Sequence, residues 1–315
     1  MFHIRFINII IIGFVLITVT YQYKPIIGIF ANPYPDQDYI HNNQTVVHGP
    51  YVRWLESFGA EVLAIHQWYT HEQIDDILSK VNGVLFMGGG RDFNFTALWE
   101  NQALYIMKAS LAKGFPLWGT CLGFQLILQS LSEVEGLLKG VYNHMGHLDN
   151  LTLTSNARGS RMYSYFNEDD FYALENRNAT IYFHQFGVND VDWNTSKTLT
   201  TLFDVTSFAF DLDDRIFVNS YEGKNDSVNI FATQYHPEKN PYVRYDGFEV
   251  EHTVDVLRTS HKLGLRFIEQ ARKNTNRMNY NERKNYDFIN TYGKGSEDSY
   301  DPEGNAYYFS KKENK

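Results

Sequence analysis

Between residues 25 and 131 the chain alternates short, continuously apolar runs with longer amphipathic stretches, and this alternation restricts the fold more than any other feature. "IIGIFA" (26–31), "AEVLAIH" (60–66), "GVLFM" (83–87) and "FPLWGT" (115–120) read as strands. "VVHGPYVRWLESFG" (46–59), "HEQIDDILSK" (71–80), "QALYIMKASLAKG" (102–114) and "LGFQLILQSL" (122–131) have helical spacing, and the first and third of these end on Gly59 and Gly114. A strand that is apolar at successive residues must be buried on both faces, and a helix between consecutive strands makes those strands parallel. The predicted fold is therefore α/β, a three-layer sandwich around a central, mostly parallel sheet.

Residues 140–225 are more polar and aromatic, with strands expected at "LDNLTLT" (148–154), "TIYFHQF" (180–186) and "SFAFDL" (207–212). "VNIFATQYHPEK" (228–239) reads as a strand stopped by Pro237, and a long amphipathic helix follows over 250–272. No linker of domain scale interrupts the chain, so 23–290 is expected to form one domain. The tail, 291–315, reads as loop or partly disordered, although "NAYYF" (305–309) has the composition of a docking strand.

The first residues carry a different signal. His3 and Arg5 precede the apolar run "FINIIIIGFVLITV" (6–19), which is too short to span a bilayer but suits the apolar region of a signal peptide. With Thr18 and Thr20 at the −3 and −1 positions, cleavage is expected near residues 21–24, leaving no membrane attachment. Asn-x-Ser/Thr sequons at Asn43, Asn94, Asn150, Asn178, Asn194 and Asn225 agree with passage through a glycosylating compartment. A net charge of −9 argues against a nucleic-acid partner, which calls for a basic face.

For an exported chain the cysteine usage is odd: there is one, Cys121, which cannot form an internal disulfide. It is a buried filler, an intermolecular bridge or a working thiol. The surrounding Gly119-Thr120-Cys121-Leu122-Gly123 has the G-x-nucleophile-x-G form, between an expected strand and an expected helix. In such an elbow the residues two positions either side of the nucleophile must be small. A thiol at a helix N-terminus also meets unpaired N–H groups and the positive end of the helix dipole, which favour thiolate. The Leu122 backbone N–H would then point at the oxygen of a tetrahedral intermediate. The glycine loop "MGGGRD" (87–92) supplies the second donor, Gly89 by preference and Gly88 or Gly90 in reserve.

A nucleophilic thiolate needs a proton shuttle. His236 is expected to close the strand "FATQYH", so that it faces the crevice at the C-terminal ends of the parallel strands, where Cys121 also lies. Glu238, two residues on, is placed to orient the imidazole and fix its tautomer. His144 and His147 in "NHMGH" are read as loop residues without a carboxylate or thiolate pair nearby, so neither a metal nor any cofactor is expected.

"GTCLGFQ" and "QYHPEK", with "GVLFMGGG" upstream, resemble the class I glutamine amidotransferases and, more narrowly, the gamma-glutamyl hydrolases that trim folate poly-gamma-glutamates. The likeness runs from "PIIGI" (25–29) through "YVRWLESFGAEVL" (51–63) and "LWGTCLGFQ" to "HPEKNPY" (236–242), "DGF" (246–248) and "FIEQARKN" (267–274). It implies a flavodoxin-like sandwich, catalytic Cys121 and His236 with Glu238 third, and a substrate-positioning His184 in "YFHQF". It also implies a homodimer and a secretory setting, in the lysosome, the vacuole or the medium. Gln125 stands where several members carry glutamate, which implies altered recognition of the terminal glutamate. A poly-gamma-glutamyl substrate is strongly anionic, and Arg91 and Lys239 are the candidate counter-charges. The competing readings are a glutaminase domain serving a synthetase, a hydrolase of another gamma-glutamyl amide, and a secreted binding protein that has lost catalysis.

Overall fold

Successive side chains of Ile26–Phe30 enter different cores: Ile27 and Ile29 join one apolar cluster, Ile26 and Phe30 another, and all five residues are buried. The computed structural model describes residues 23–34, 43–90, 98–242, 251–289 and 306–311. The expected leader, Arg91, the Asn94 sequon, "DGF" and most of the tail lie outside these residues.

The first half runs β1 (Ile26–Phe30), β2 (Asn32–Pro33), β3 (Gln44–His48), α1 (Gly49–Glu56), β4 (Glu61–Ile65), α2 (His71–Leu78), β5 (Gly83–Phe86), α3 (Leu98–Lys113), β6 (Leu117–Thr120) and α4 (Leu122–Leu131). The second half continues with β7 (His144–Asp149), β8 (Thr152–Leu153), α5 (Glu168–Asn176), β9 (Thr180–His184), α6 (Asp190–Thr195), α7 (Lys197–Leu202), β10 (Phe203–Phe210) and β11 (Ile216–Gly223). It closes with β12 (Ile230–Thr233), α8 (Val254–Lys273), β13 (Phe288–Ile289) and β14 (Ala306–Ser310).

A nine-stranded sheet has the order β13-β4-β1-β5-β6-β12-β11-β10-β8. Its centre, from β4 to β12, is parallel; β13 and the run β11-β10-β8 extend it antiparallel on either side. Residues of α1, α5 and α8 cover one face and those of α2, α3, α4, α6 and α7 the other, which gives the expected three layers.

The element boundaries depart from the sequence expectation where tertiary partners compete with local pattern. The helix expected from residue 46 begins at Gly49: Val46 and Val47 pair in β3, with Pro50 in the first helical turn, where a missing N–H costs nothing. Gly59 does end this unit, with φ 78, a conformation that favours glycine. "NAYYF" docks as β14 along β3, as its composition suggested.

β11 gives little signal in the sequence because Asn219, Ser220 and Glu222 interrupt its apolar pattern. Each of these side chains makes a hydrogen bond inside the protein: Ser220 Oγ lies 2.6 Å from Thr206 Oγ1, Asn219 Nδ2 donates to Ser207 Oγ at 3.1 Å, and Glu222 accepts the Arg161 N–H at 2.8 Å.

Candidate active site

The active-site candidates meet because β6 and β12 are neighbours. Their parallel register puts Thr120 beside Thr233, so Cys121 leaves the sheet one residue after the first and His236 three residues after the second. Cys121 adopts φ 52 and ψ −105, a region that side chains other than glycine rarely occupy, and α4 starts at the next residue. This is the expected strand-turn-helix elbow. Its N–H is anchored on Thr233 O at 2.9 Å, and its carbonyl accepts the Gln125 N–H at 3.0 Å to open the helix.

The flanking glycines are sterically required. A methyl group on Gly123 would sit 2.2 Å from Phe86 O, and one on Gly119 would sit 2.6 Å from Ile127 Cδ1 and 2.9 Å from Gly123 O.

His236 does not close its strand as expected. Pairing stops at Thr233, because the chain then turns away and the His236 N–H donates to Ile181 O of β9 at 3.0 Å. The detour still brings the ring to the sulfur: a methyl on Gly88 would lie 2.6 Å from His236 Cε1 and 3.2 Å from Cys121 Cβ. His236 Nδ1 lies 2.8 Å from Glu238 Oε1, and the Glu238 side chain is wholly buried. Nε2 is buried with no hydrogen-bond partner among the described residues. Burial opposes charge on this ring, but the Glu238 carboxylate and the Cys121 sulfur beside it outweigh burial and raise the His236 pKa to about 9.

Tyr51, at the start of α1, ties the parts together. Its hydroxyl accepts the Gly88 N–H at 2.8 Å and lies 3.4 Å from His236 Nδ1. Burial, and then the Glu238 charge, push the phenol well above its usual range, so it keeps its proton. Asn32 donates from Nδ2 to Gly88 O at 2.9 Å and holds the glycine loop from the other side. Sequence reasoning missed both residues. Asn32 was findable, because it follows the C-terminal end of a central parallel strand, where ligand crevices form.

The loop contact removes one oxyanion candidate. The Gly88 N–H is occupied, whereas neither Gly89 nor Leu122 has a partner for its backbone N–H among the described residues. A methyl on Gly89 would fall 3.1 Å from Leu122 Cδ2, so the two residues adjoin.

Of the other expected residues, His184 sits at the end of β9, buried among Tyr142, His144, Tyr182 and Phe217. Its Nδ1 contacts Phe186 O at 2.9 Å, and burial together with neighbouring His144 lowers its pKa to about 3. The adjacent Phe183 carbonyl is 3.9 Å from Cys121 Sγ. Gln125 is held in place by its own bonds, donating from Nε2 to Phe186 O at 2.8 Å and to Gln234 Oε1 at 3.1 Å. The Lys239 ammonium rests 5.2 Å from the centre of the Phe183 ring.

His144 and His147 depart from the loop reading. They lie on β7, and a carboxylate, that of Asp149, is close to both. Burial and His147 lower the His144 pKa to about 4.

With this geometry in place, comparison with known proteins is specific. Residues 41–246 match the glutamine amidotransferase class-I family. The chain is 30% identical to the gamma-glutamyl hydrolase of Mus musculus over 229 residues, which are 71% of this chain and 71% of that protein. It is 26% identical to gamma-glutamyl hydrolase B of Dictyostelium discoideum, covering 84% and 76% of the two chains, and 28% identical to the gamma-glutamyl hydrolase of Homo sapiens, covering 80% and 79%. Among solved structures, the glutaminase domain of Trypanosoma brucei CTPS with bound acivicin matches at a TM-score of 0.51 and 13% identity, over 80% of this chain and 95% of that one. The last is a likeness of fold.

Proposed function

The chain belongs to the class I glutamine amidotransferase family and, within it, to the gamma-glutamyl hydrolases, enzymes that hydrolyse gamma-glutamyl bonds; from that membership we propose that it cleaves folate poly-gamma-glutamates through Cys121, His236 and Glu238. The observation that carries this reading is the meeting of the strained Cys121 elbow with an imidazole whose far nitrogen is held by a buried carboxylate.

In this mechanism the Cys121 thiolate adds to the gamma-carbonyl carbon, and the carbonyl electron pair moves to oxygen. The Gly89 and Leu122 N–H groups bind that oxyanion, each contributing about 3 to 4 kcal/mol to the transition state. His236, with its pKa near 9, already carries the proton the departing amine requires. As the C–N bond breaks, Nε2 delivers that proton to nitrogen and leaves a gamma-glutamyl thioester. The departing amine is the downstream glutamate or glutamyl peptide. The now neutral imidazole takes a proton from water, hydroxide adds to the thioester, and the C–S bond breaks to release the shortened pteroyl-glutamate and restore the ion pair. Glu238 holds the ring in one orientation throughout.

Arg91 and Lys239 are assigned to the substrate carboxylates, and His184 and Gln125 to the walls that shape the glutamyl subsite. The leader over 1–22 supports work in the secretory pathway, in the lysosome, the vacuole or outside the cell.

The test is product analysis of a pteroyl poly-gamma-glutamate incubated with the wild-type chain and with Cys121→Ala. Release of glutamate or glutamyl peptide by the wild type alone is expected. No release by the wild type removes the substrate assignment, and full activity in the alanine variant removes the mechanism. Substrate-protected labelling of Cys121 by iodoacetamide separates the enzyme from a binding protein of the same fold.

A further inference from the structure

β7 carries an irregularity that assembles a second cluster. Opposite β9, the register slips between Met145 and His147, where Gly146 takes φ 66. In an unbroken strand His144 and His147 would face opposite sides. The extra residue rotates the chain so that His144, His147 and Asp149 share one face, opposite His184, Tyr182 and Thr180 of β9. One ligand atom from each of the three lies within 4.8 Å of the other two.

A second observation is independent of this proximity. His144 is 0% exposed, yet neither of its ring nitrogens has a hydrogen-bond partner among the described residues. Buried polar atoms are almost always paired, so an imidazole with both nitrogens unmatched marks a place where a ligand completes the structure. The rings packed against it, Tyr182 at 4.3 Å and Phe217 at 5.4 Å between centroids, make no hydrogen bond to this imidazole.

We propose that His144, His147 and Asp149 bind one zinc ion. Two imidazole nitrogens and one carboxylate oxygen suit zinc, whereas magnesium and calcium favour all-oxygen sets. Zinc bonds of about 2 Å put tetrahedral ligands roughly 3.3 Å apart, so ligand atoms now within 4.8 Å of one another close in by at most about 1.5 Å on binding. His147 and Asp149 are half-buried and can rotate to do this. The Asn150 N–H already donates to Asp149 Oδ1 at 2.7 Å and orients the carboxylate. Three protein ligands leave a fourth position for water. The ion fixes the bulged conformation of β7, which pairs with β9, and β9 carries the Phe183 carbonyl that lies 3.9 Å from the Cys121 sulfur.

The site is tested on the full chain carrying Cys121→Ala, so that the reactive thiol cannot take up metal. After chelator treatment the protein is dialysed against micromolar zinc chloride and its metal content measured, with cobalt(II) absorption as the probe of coordination. One zinc per chain and a tetrahedral cobalt spectrum are expected, with affinity reduced at least about tenfold in His147→Ala and in Asp149→Asn. Absence of saturable uptake, or uptake unchanged in both variants, overturns the proposal. The readout is binding rather than hydrolysis, so it stands or falls separately from the Cys121 mechanism.

Discussion

His236 Nδ1 lies 2.8 Å from Oε1 of a Glu238 side chain that has no solvent exposure, which makes this pair the electrostatic centre of the site. A buried carboxylate at that distance stabilises the imidazolium over the imidazole, against the cost of burial.

The pH dependence follows from this pair. The folded-state pKa of His236, about 9, lies above its value of about 6.5 in an unfolded chain. Its contribution to stability is therefore complete below pH 6.5 or so and is lost as pH rises through about 9. The thermal midpoint of the wild type should fall across that window. In Glu238→Gln the His236 pKa should drop, seen directly by NMR titration of the ring, and the loss of stability over the window should shrink. A wild-type midpoint that rises from pH 6.5 to 9 would contradict the assignment.

Tyr51→Phe removes the acceptor of the Gly88 N–H and a contact of His236 Nδ1 while keeping the ring. An unmatched buried N–H costs about 1 to 3 kcal/mol. The variant should fold with a lower midpoint and a reduced kcat, and its KM should change less than its kcat, because the phenol supports the glycine loop and the imidazole. Unchanged kcat with intact fold would show that the loop is held without it.

The glycines rank by what a methyl group would strike. Gly123→Ala meets the Phe86 backbone at 2.2 Å and should destabilise by about 3 kcal/mol or more, with loss of soluble protein. Gly119→Ala also meets the movable end of Ile127 and should be less severe. Gly90→Ala has open space around it and serves as the tolerated control. Chemical denaturation of the three variants checks the order.

Cys121 is strained, and substitution should reveal it. Holding a side chain at φ 52 costs about 1 to 3 kcal/mol, while glycine loses about 0.4 to 1 kcal/mol more backbone entropy on folding. Strain relief is the larger effect, so Cys121→Gly should melt roughly 2 °C above Cys121→Ala. Both should be inactive. Equal midpoints would mean the elbow is relaxed.

The legibility of the site differs from residue to residue. Cys121 could be read because its determinants are local: small residues at 119 and 123, an apolar strand before and a helix after. Glu238 followed from His236 by spacing alone. Tyr51 was invisible, because the link from α1 to Gly88 exists only once α1 packs beside the glycine loop. Asp149 was overlooked as a neighbour of His144 and His147 because a bulge depends on how β7 registers with β9.

By itself the sequence determined the layered α/β architecture, since a strand that is apolar at successive residues can be satisfied only by burying both of its faces. It also determined the elbow, through steric limits acting within a few residues of Cys121. Tertiary structure decided which histidine reaches the sulfur, which loop N–H remains free and where three metal-ligating side chains converge. Those outcomes depend on β12 lying beside β6 and on β9 drawing the chain away after Thr233. Hydrogen bonds between distant segments make such choices, and no local pattern encodes them.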